Sequence, residues 1–170
     1  MRLARHWRAA VFLGMTMCCA GAVRAQDSLG ETTHKARPKD EAVEYLYPEQ
    51  VTVQAGKPSA VAMHFRIRQD LHINAHKPRA DYLIPTVLSI PESSGVQLAS
   101  ARYPAGSEFT LPVDPSEKLL VYSGEFTIQA SIVATPGDHL VEAKLRYQAC
   151  DQNACMPPKT TTVAIDVVGK

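Results

Sequence analysis

The chain has 170 residues, of which 45% are hydrophobic and 21% charged, as in an ordinary soluble globular protein, and this length favours one domain. Its first 25 residues hold four of the 18 lysines and arginines and no acid, so the remainder carries 14 basic and 17 acidic residues, a net charge of about −3. This charge argues against a nucleic-acid or anionic-membrane partner, because such partners select basic surfaces.

The first 25 residues have the pattern of a secretory signal peptide. Three arginines precede an apolar run from Ala9 to about Val23, and Val23-Arg24-Ala25 is a small-x-small cleavage signature before Gln26. The run falls short of the roughly 20 residues that a membrane span needs. Lipoprotein processing is a weaker alternative, because Cys18 lacks the usual small residues before it. We expect residues 1–25 to be removed on export and the mature protein to be periplasmic.

Residues 26–44 are polar and charged and contain Pro38, so we expect a flexible N-terminal segment there. The folded domain is expected over residues 45–170. Prolines recur through this region at intervals that leave little room for long helices.

Four segments of the domain alternate apolar and polar residues, which is the pattern of half-buried strands. They are residues 61–68, 126–132, 141–148 and 162–167. Shorter candidate strands are residues 51–53, 83–90, 96–103 and 118–122. Seven to nine strands separated by turn residues predict an all-β fold, an immunoglobulin-like antiparallel β-sandwich.

Two cysteines, Cys150 and Cys155, follow the predicted signal peptide and should pair in an oxidising compartment. If Tyr147 and Ala149 face the core, Cys150 lies on the exposed side of its strand, which is unusual for the structural disulfide of an immunoglobulin domain. A bridge that closes so short a loop gains only about 2 kcal/mol from loop entropy. The spacing leaves two interpretations open, a redox-active pair and a local structural disulfide.

The segment around the cysteines resembles a known family. Tyr147-Gln148-Ala149-Cys150, a short polar loop and Cys155-Met156-Pro157-Pro158 are similar to the active-site hairpin of the N-terminal periplasmic domain of the thiol:disulfide interchange protein DsbD. Residues 71–74 with 83–86 are similar to a second stretch of that family, and Tyr122-Ser123-Gly124-Glu125 resembles its cap segment. The resemblance covers residues 45–168, and the loop between the cysteines is one residue shorter than in well-known members.

The resemblance implies an immunoglobulin-like fold and a redox relay without a cofactor. Electrons would arrive from a thioredoxin-like donor domain and leave to periplasmic disulfide isomerases or cytochrome-maturation thioredoxins. Cys155 would form the mixed disulfide with these partners, and Cys150 would resolve it. Tyr122 and Ser123, with Gly124 as a hinge, would cap the pair between partners. The membrane electron conductor and the thioredoxin-like domain that normally follow are expected from other chains.

Two alternatives remain beside the relay. His72, His76, Cys155 and Met156 offer imidazole and sulfur ligands that would suit zinc or Cu(I). Solvated or hydrogen-bonded histidines are the simpler interpretation, so no metal site is expected. The second function class is a noncatalytic exported binding module, with or without a metal, in which the disulfide is structural.

Overall fold

The computed structural model describes residues 41–47, 50–112 and 114–170, so the predicted signal peptide lies outside the described residues. The described chain forms twelve strands and a 3-10 turn at Glu92–Ser94. None of its helices is long and apolar enough to cross a membrane. The strands are β1 (Val43–Leu46), β2 (Gln50–Val53), β3 (Ser59–Ile67), β4 (His72–Asn74), β5 (Val87–Ser89), β6 (Val96–Arg102), β7 (Ser107–Leu111), β8 (Asp114–Tyr122), β9 (Glu125–Ala134), β10 (Gly137–Tyr147), β11 (Ala149–Cys150) and β12 (Lys159–Gly169).

Two four-stranded sheets form the sandwich. Sheet A has the order β1-β3-β9-β6, and sheet B has the order β2-β12-β10-β5. The alternation of β3, β9, β10 and β12 directs their apolar residues into one buried cluster, the main core. Neighbouring strands in these two sheets are antiparallel except β2 and β12, which pair in parallel. The fold is therefore the predicted immunoglobulin-like β-sandwich.

A row of aromatic rings in mutual contact lies in the main core and against its margin. Phe65 is fully buried, and its ring centroid lies 5.4 Å from that of Tyr45 and 5.2 Å from that of Phe126. Phe126 in turn stacks on Tyr122 at 5.0 Å. Rings at these distances bury large apolar areas and add favourable ring–ring contacts. The row of rings links sheet A to the end of β8.

A third sheet forms where strands of both main sheets end. Sheet C has the order β11-β4-β8-β7. Its strand β4 follows β3, its strand β8 precedes β9, and its strand β11 follows β10. Sheets A and B therefore both contribute to the sheet that carries Cys150.

The structure confirms the four alternating segments as β3, β9, β10 and β12. The candidate strand at residues 83–90 is a strand only at Val87–Ser89, because Pro85 has no N–H for a ladder. Four short strands, β1, β4, β7 and β11, are not predicted by the sequence pattern. Their brevity hides any period, since β4 has three residues that are all buried and β11 has only two.

We expect Phe65→Ala to lower the free energy of unfolding by about 3–5 kcal/mol, because it removes a fully buried ring between two others. Urea unfolding measures the change. Gln129→Ala, at an exposed position of β9, is the control and should stay within about 0.5 kcal/mol of the parent. Similar losses in both variants would contradict this assignment of the core.

Candidate functional site

Cys150 and Cys155 close a disulfide across a tight hairpin, so the predicted pairing is confirmed. Their Cα atoms are 3.9 Å apart. The N–H of Met156 donates to the carbonyl of Ala149 at 2.8 Å, and the N–H of Asp151 donates to the carbonyl of Ala154 at 3.0 Å. The cysteines thus face each other between two backbone hydrogen bonds, at the kind of antiparallel position where two strands come closest.

Asp151 fixes the turn between the two cysteines. Its Oδ1 accepts hydrogen bonds from the N–H of Asn153 at 2.7 Å and of Ala154 at 2.8 Å. This is the way that aspartate side chains commonly stabilise turns. The two backbone donors lower the pKa of the Asp151 carboxyl below its ordinary value. The shape of the hairpin is therefore held by hydrogen bonds as well as by the disulfide.

The two cysteines differ sharply in exposure. Cys155 is exposed, whereas Cys150 is only 2% exposed. The prediction of an exposed Cys150 is therefore wrong, although the alternation behind it is right. Ala149 lies in the main core, and the neighbouring side chain of Cys150 points to the other face of its strand.

That other face of sheet C is covered. The chain leaves sheet B at Gln148, and β11 pairs with β4 of sheet C instead. The face of sheet C that carries Cys150 also carries a second, smaller core. This second core consists of Leu83, Leu119 and Val121, with Ala80, Phe109 and Leu111 packed against it. A thiolate arriving from solvent can therefore reach Cys155 more readily than Cys150.

Polar contacts anchor the hairpin to the stretches 71–74 and 83–86. The side-chain amide of Gln148 donates to the carbonyl of Met156 at 3.2 Å. Asn74 Nδ2 donates to Gln148 Oε1 at 3.3 Å and to the carbonyl of Ile84 at 3.1 Å. Thr86 Oγ1 donates to the carbonyl of Asn74 at 2.6 Å. Both stretches therefore meet the cysteine hairpin.

His72 is the register partner of Cys150 in the pairing of β4 with β11. It is 4% exposed, and its Nε2 has no hydrogen-bond partner in the described part of the chain. Its ring centroid lies 4.2 Å from that of Phe109. Burial lowers the pKa of His72 below its ordinary value, and the charge of Asp151 opposes part of this effect. The interpretation of His72 as a solvated histidine is therefore wrong; its position between Leu71 and Ile73 was the signal for burial.

Tyr122, Ser123 and Gly124 end β8 and begin the turn to β9. Tyr122 is buried in the main core, where its hydroxyl donates to the carbonyl of Pro104 at 3.0 Å and accepts from the N–H of His76 at 3.1 Å. Its ring lies on the core face of sheet C, opposite to the face that carries Cys150. Gly124 has a φ of 64°, which glycine adopts without steric cost.

A groove beside the hairpin brings other residues together. It has a volume of about 230 Å³ and is lined by residues that include His72, Phe109, Ser123 and Gln152. Of the three predicted cap residues, Ser123 lines this groove, whereas Tyr122 and Gly124 do not. The sequence analysis did not identify Phe109 as a site residue. The available signal was that Phe109 is a single aromatic residue in the otherwise polar stretch 107–110.

The histidines and the cysteine among the possible metal ligands do not form a metal-binding group in the described residues. In the part of the chain that the structure describes, no three His, Cys, Asp or Glu side chains are placed to hold a metal ion. His76 instead donates from Nδ1 to the carbonyl of Thr86 at 2.9 Å and stacks on Tyr103 at 3.7 Å. His76 is thus a hydrogen-bonded histidine, as the sequence analysis favours.

Comparison with known proteins gives two findings. Residues 42–167 match the family model described as thiol:disulfide interchange protein DsbD, N-terminal. Among solved structures, the chain is similar to the Neisseria meningitidis DsbD N-terminal domain in the reduced form, with 20% sequence identity and a TM-score of 0.46 over 68% of this chain and 82% of that chain. The comparison with curated proteins gives no match.

We expect part of the stability of the protein to be lost as the pH falls below about 6.5, the pKa of an ordinary histidine. A buried histidine with a lowered pKa stays neutral in the folded chain while the unfolded chain binds a proton, so acid favours unfolding. His72→Phe keeps a ring against Phe109 and should reduce this loss of stability between pH 7 and pH 5. Urea unfolding at pH 7, 6 and 5 measures it, and parallel profiles for the two proteins would contradict the expectation.

Proposed function

The chain belongs to the family of N-terminal domains of the thiol:disulfide interchange protein DsbD, and on this premise we propose that it is a periplasmic thiol–disulfide relay. It would take electrons from a thioredoxin-like donor and pass them to other periplasmic thiol–disulfide proteins. The observation that carries this proposal is the exposed Cys155 bonded to the buried Cys150 in a hairpin at the edge of sheet C.

The difference in exposure supports a separate step for each cysteine. A partner thiolate attacks Cys155 Sγ, the bond to Cys150 breaks, and the electron pair of that bond passes to Cys150 Sγ. The second thiolate of the partner then attacks the partner's own sulfur in the mixed disulfide and releases Cys155. The partner leaves as a disulfide, and the cysteine pair holds two more electrons. The reverse sequence transfers these electrons to an acceptor disulfide.

The hairpin is built to keep its shape through this cycle. Asp151 and Gln148 hold the turn and its return strand by hydrogen bonds that do not involve sulfur. The loss of a disulfide around so short a loop costs only about 2 kcal/mol in the loop-entropy model. The main core lies mostly in sheets A and B, also covers one face of sheet C, and does not include either cysteine. Reduction should therefore leave the fold intact.

The partners and the compartment follow from the same premise. The family resemblance implies partners with thioredoxin-like domains, a donor and one or more acceptors. Export through the predicted signal peptide at residues 1–25 would deliver the chain to a compartment in which disulfides persist. An exposed sulfur beside an open groove supports docking of another protein at this end of the sandwich.

In this proposal, Phe109 and Ser123 cover the cysteine pair when no partner is bound. Both residues line the groove that also contacts Gln152 of the cysteine hairpin. Phe109 stacks on His72, the register partner of Cys150. Tyr122, to which the family resemblance assigns the cap, would support this arrangement from the core face of the sheet.

We expect the Cys150–Cys155 couple to have a reduction potential above about −300 mV, the level below which structural disulfides usually fall. Equilibration in glutathione and dithiothreitol buffers measures the potential, and circular dichroism of the reduced protein checks its fold. A lower potential, or unfolding on reduction, would support the noncatalytic binding module with a structural disulfide.

We expect reduced Cys150→Ala to form a mixed disulfide with a thioredoxin-like protein whose resolving cysteine has been removed and whose attacking cysteine carries thionitrobenzoate in a disulfide, with thionitrobenzoate as the leaving thiolate. The variant keeps the exposed Cys155 and loses the sulfur that would release the partner. Cys155→Ala is the matched control and should trap the partner at least tenfold more slowly, because Cys150 is buried. Equal trapping by both variants, measured on non-reducing gels, would contradict the assigned roles.

We expect Phe109→Ala to speed the reaction of the reduced pair with a bulky maleimide several-fold, because it opens the groove beside the hairpin. Leu111→Ala, on the same strand and in the same small core, is the matched control and should change the rate less. Tyr122→Ala tests the alternative shield and should leave the rate near that of the parent. A faster reaction in Tyr122→Ala alone, with its fold intact, would restore the cap to Tyr122.

A further inference from the structure

A histidine whose Nε2 has no hydrogen-bond partner in the described residues and the buried cysteine of the disulfide occupy facing positions in sheet C. His72 and Cys150 are register partners in an antiparallel pair. Residues directly opposite each other in such a pair have Cβ atoms about 4.5–5.5 Å apart and point to the same face. Both side chains are nearly inaccessible to solvent, and His72 Nε2 has no partner in the described residues. A buried polar atom without a partner calls for an explanation, often a functional one.

Cys150 needs a proton when the disulfide breaks. Its sulfur receives the electron pair of the bond at a position that solvent hardly reaches, and a buried thiolate without a counter-charge is strongly disfavoured. The charged groups that line the groove or interact with His72 are carboxylates, which would oppose a second negative charge. They are Asp70, Glu108 and Asp151.

Two cationic side chains near this groove form ion pairs with one of these carboxylates, Glu108. Arg79 forms an ion pair with Glu108, and Lys118 Nζ lies 3.7 Å from Glu108 Oε2. Both cations are thus paired with a carboxylate of β7, which they neutralise. A proton carried by His72 is the most direct way to neutralise Cys150.

We propose that His72 donates a proton to Cys150 when the disulfide opens and accepts it again when the disulfide closes. The proposal rests on the relay function proposed above and adds a catalytic residue to it. In opening, the partner thiol ionises and its proton is taken up from solvent at His72. The imidazolium then gives this proton to Cys150 as the bond to Cys155 breaks, which leaves a neutral imidazole and a thiol.

Closure follows the same path in reverse. The neutral imidazole takes the proton from the Cys150 thiol, and Cys150 Sγ attacks Cys155 Sγ in the mixed disulfide, so that the partner leaves as a thiolate. Burial lowers the pKa of His72, with Asp151 as a smaller opposing influence. The imidazole is therefore in its basic form at pH 7, as general base catalysis of closure requires.

The closing step can be followed with Ellman's reagent in stopped-flow absorbance. Reaction of the reduced protein with this aromatic disulfide first forms a mixed disulfide at Cys155. Attack by Cys150 then releases a second equivalent of the coloured thiolate. With His72 as the base, the second phase should be nearly independent of pH between 7 and 8 and should slow in acid.

His72→Phe should slow this second phase at least tenfold at pH 7. Its rate should then rise about tenfold per pH unit, because only the spontaneously ionised Cys150 thiol can react. His64→Phe removes an exposed histidine from β3 and should behave as the parent. A second phase in His72→Phe within twofold of the parent, with the same pH profile, would overturn the proposal.

A measurement on the unmutated protein covers the case in which His72→Phe does not fold. The ¹⁵N resonance of His72 Nε2 should shift on reduction, because the Cys150 thiol can now donate to it, and Cys150→Ala should lack this shift. An unchanged resonance would overturn the role of His72. If the parent protein never releases the second equivalent of coloured thiolate, the relay function proposed above is refuted. If the parent and His72→Phe release it at the same rate, only the role of His72 is refuted.

Discussion

The chain passes from sheet B to sheet C at Gln148, and this change of sheet determines the geometry of the cysteine hairpin. Up to Tyr147 the strand belongs to sheet B, and from Ala149 it pairs with β4 in sheet C. Gln148 stabilises this change, because its carbonyl accepts from the N–H of Asn74 at 3.3 Å and its side chain bridges Asn74 and Met156. A side chain that could not make both contacts would remove the side-chain link that ties the return strand of the hairpin to β4.

This junction explains why two cysteines of one short loop differ in environment. Sheet C has two covered faces, the main core on one side and the small core on the other. The hairpin lies at its edge, so the residue in the ladder, Cys150, is buried and the residue on the return strand, Cys155, is exposed. The same hairpin in the middle of a sheet would bury both sulfurs, and on a free loop it would expose both.

The sequence predicts the long strands, in which apolar and polar residues alternate over many positions. It does not predict the burial of residues where the chain passes from one sheet to another. Long strands such as β3 and β12 alternate over nine or more residues, so their faces could be assigned from the sequence. Extending the alternation of β10 to Cys150 predicted its direction correctly. Its burial could not be predicted, because it depends on β4 and β7, which lie far away in the sequence. A local motif at residues 122–124 likewise carries no information on which face of a sheet its tyrosine occupies.

The oxidised and reduced forms of the cysteine pair differ in whether they can donate a hydrogen bond to His72 Nε2. A disulfide has no hydrogen to donate, so Nε2 stays without a partner while the bond is closed. Reduction creates a thiol that can donate to it. An unpaired buried polar atom costs about 1–3 kcal/mol, and recovery of this energy on reduction would raise the potential of the couple by about 20–65 mV. The same imidazole that moves the proton would thus also favour the reduced, electron-carrying form of the pair.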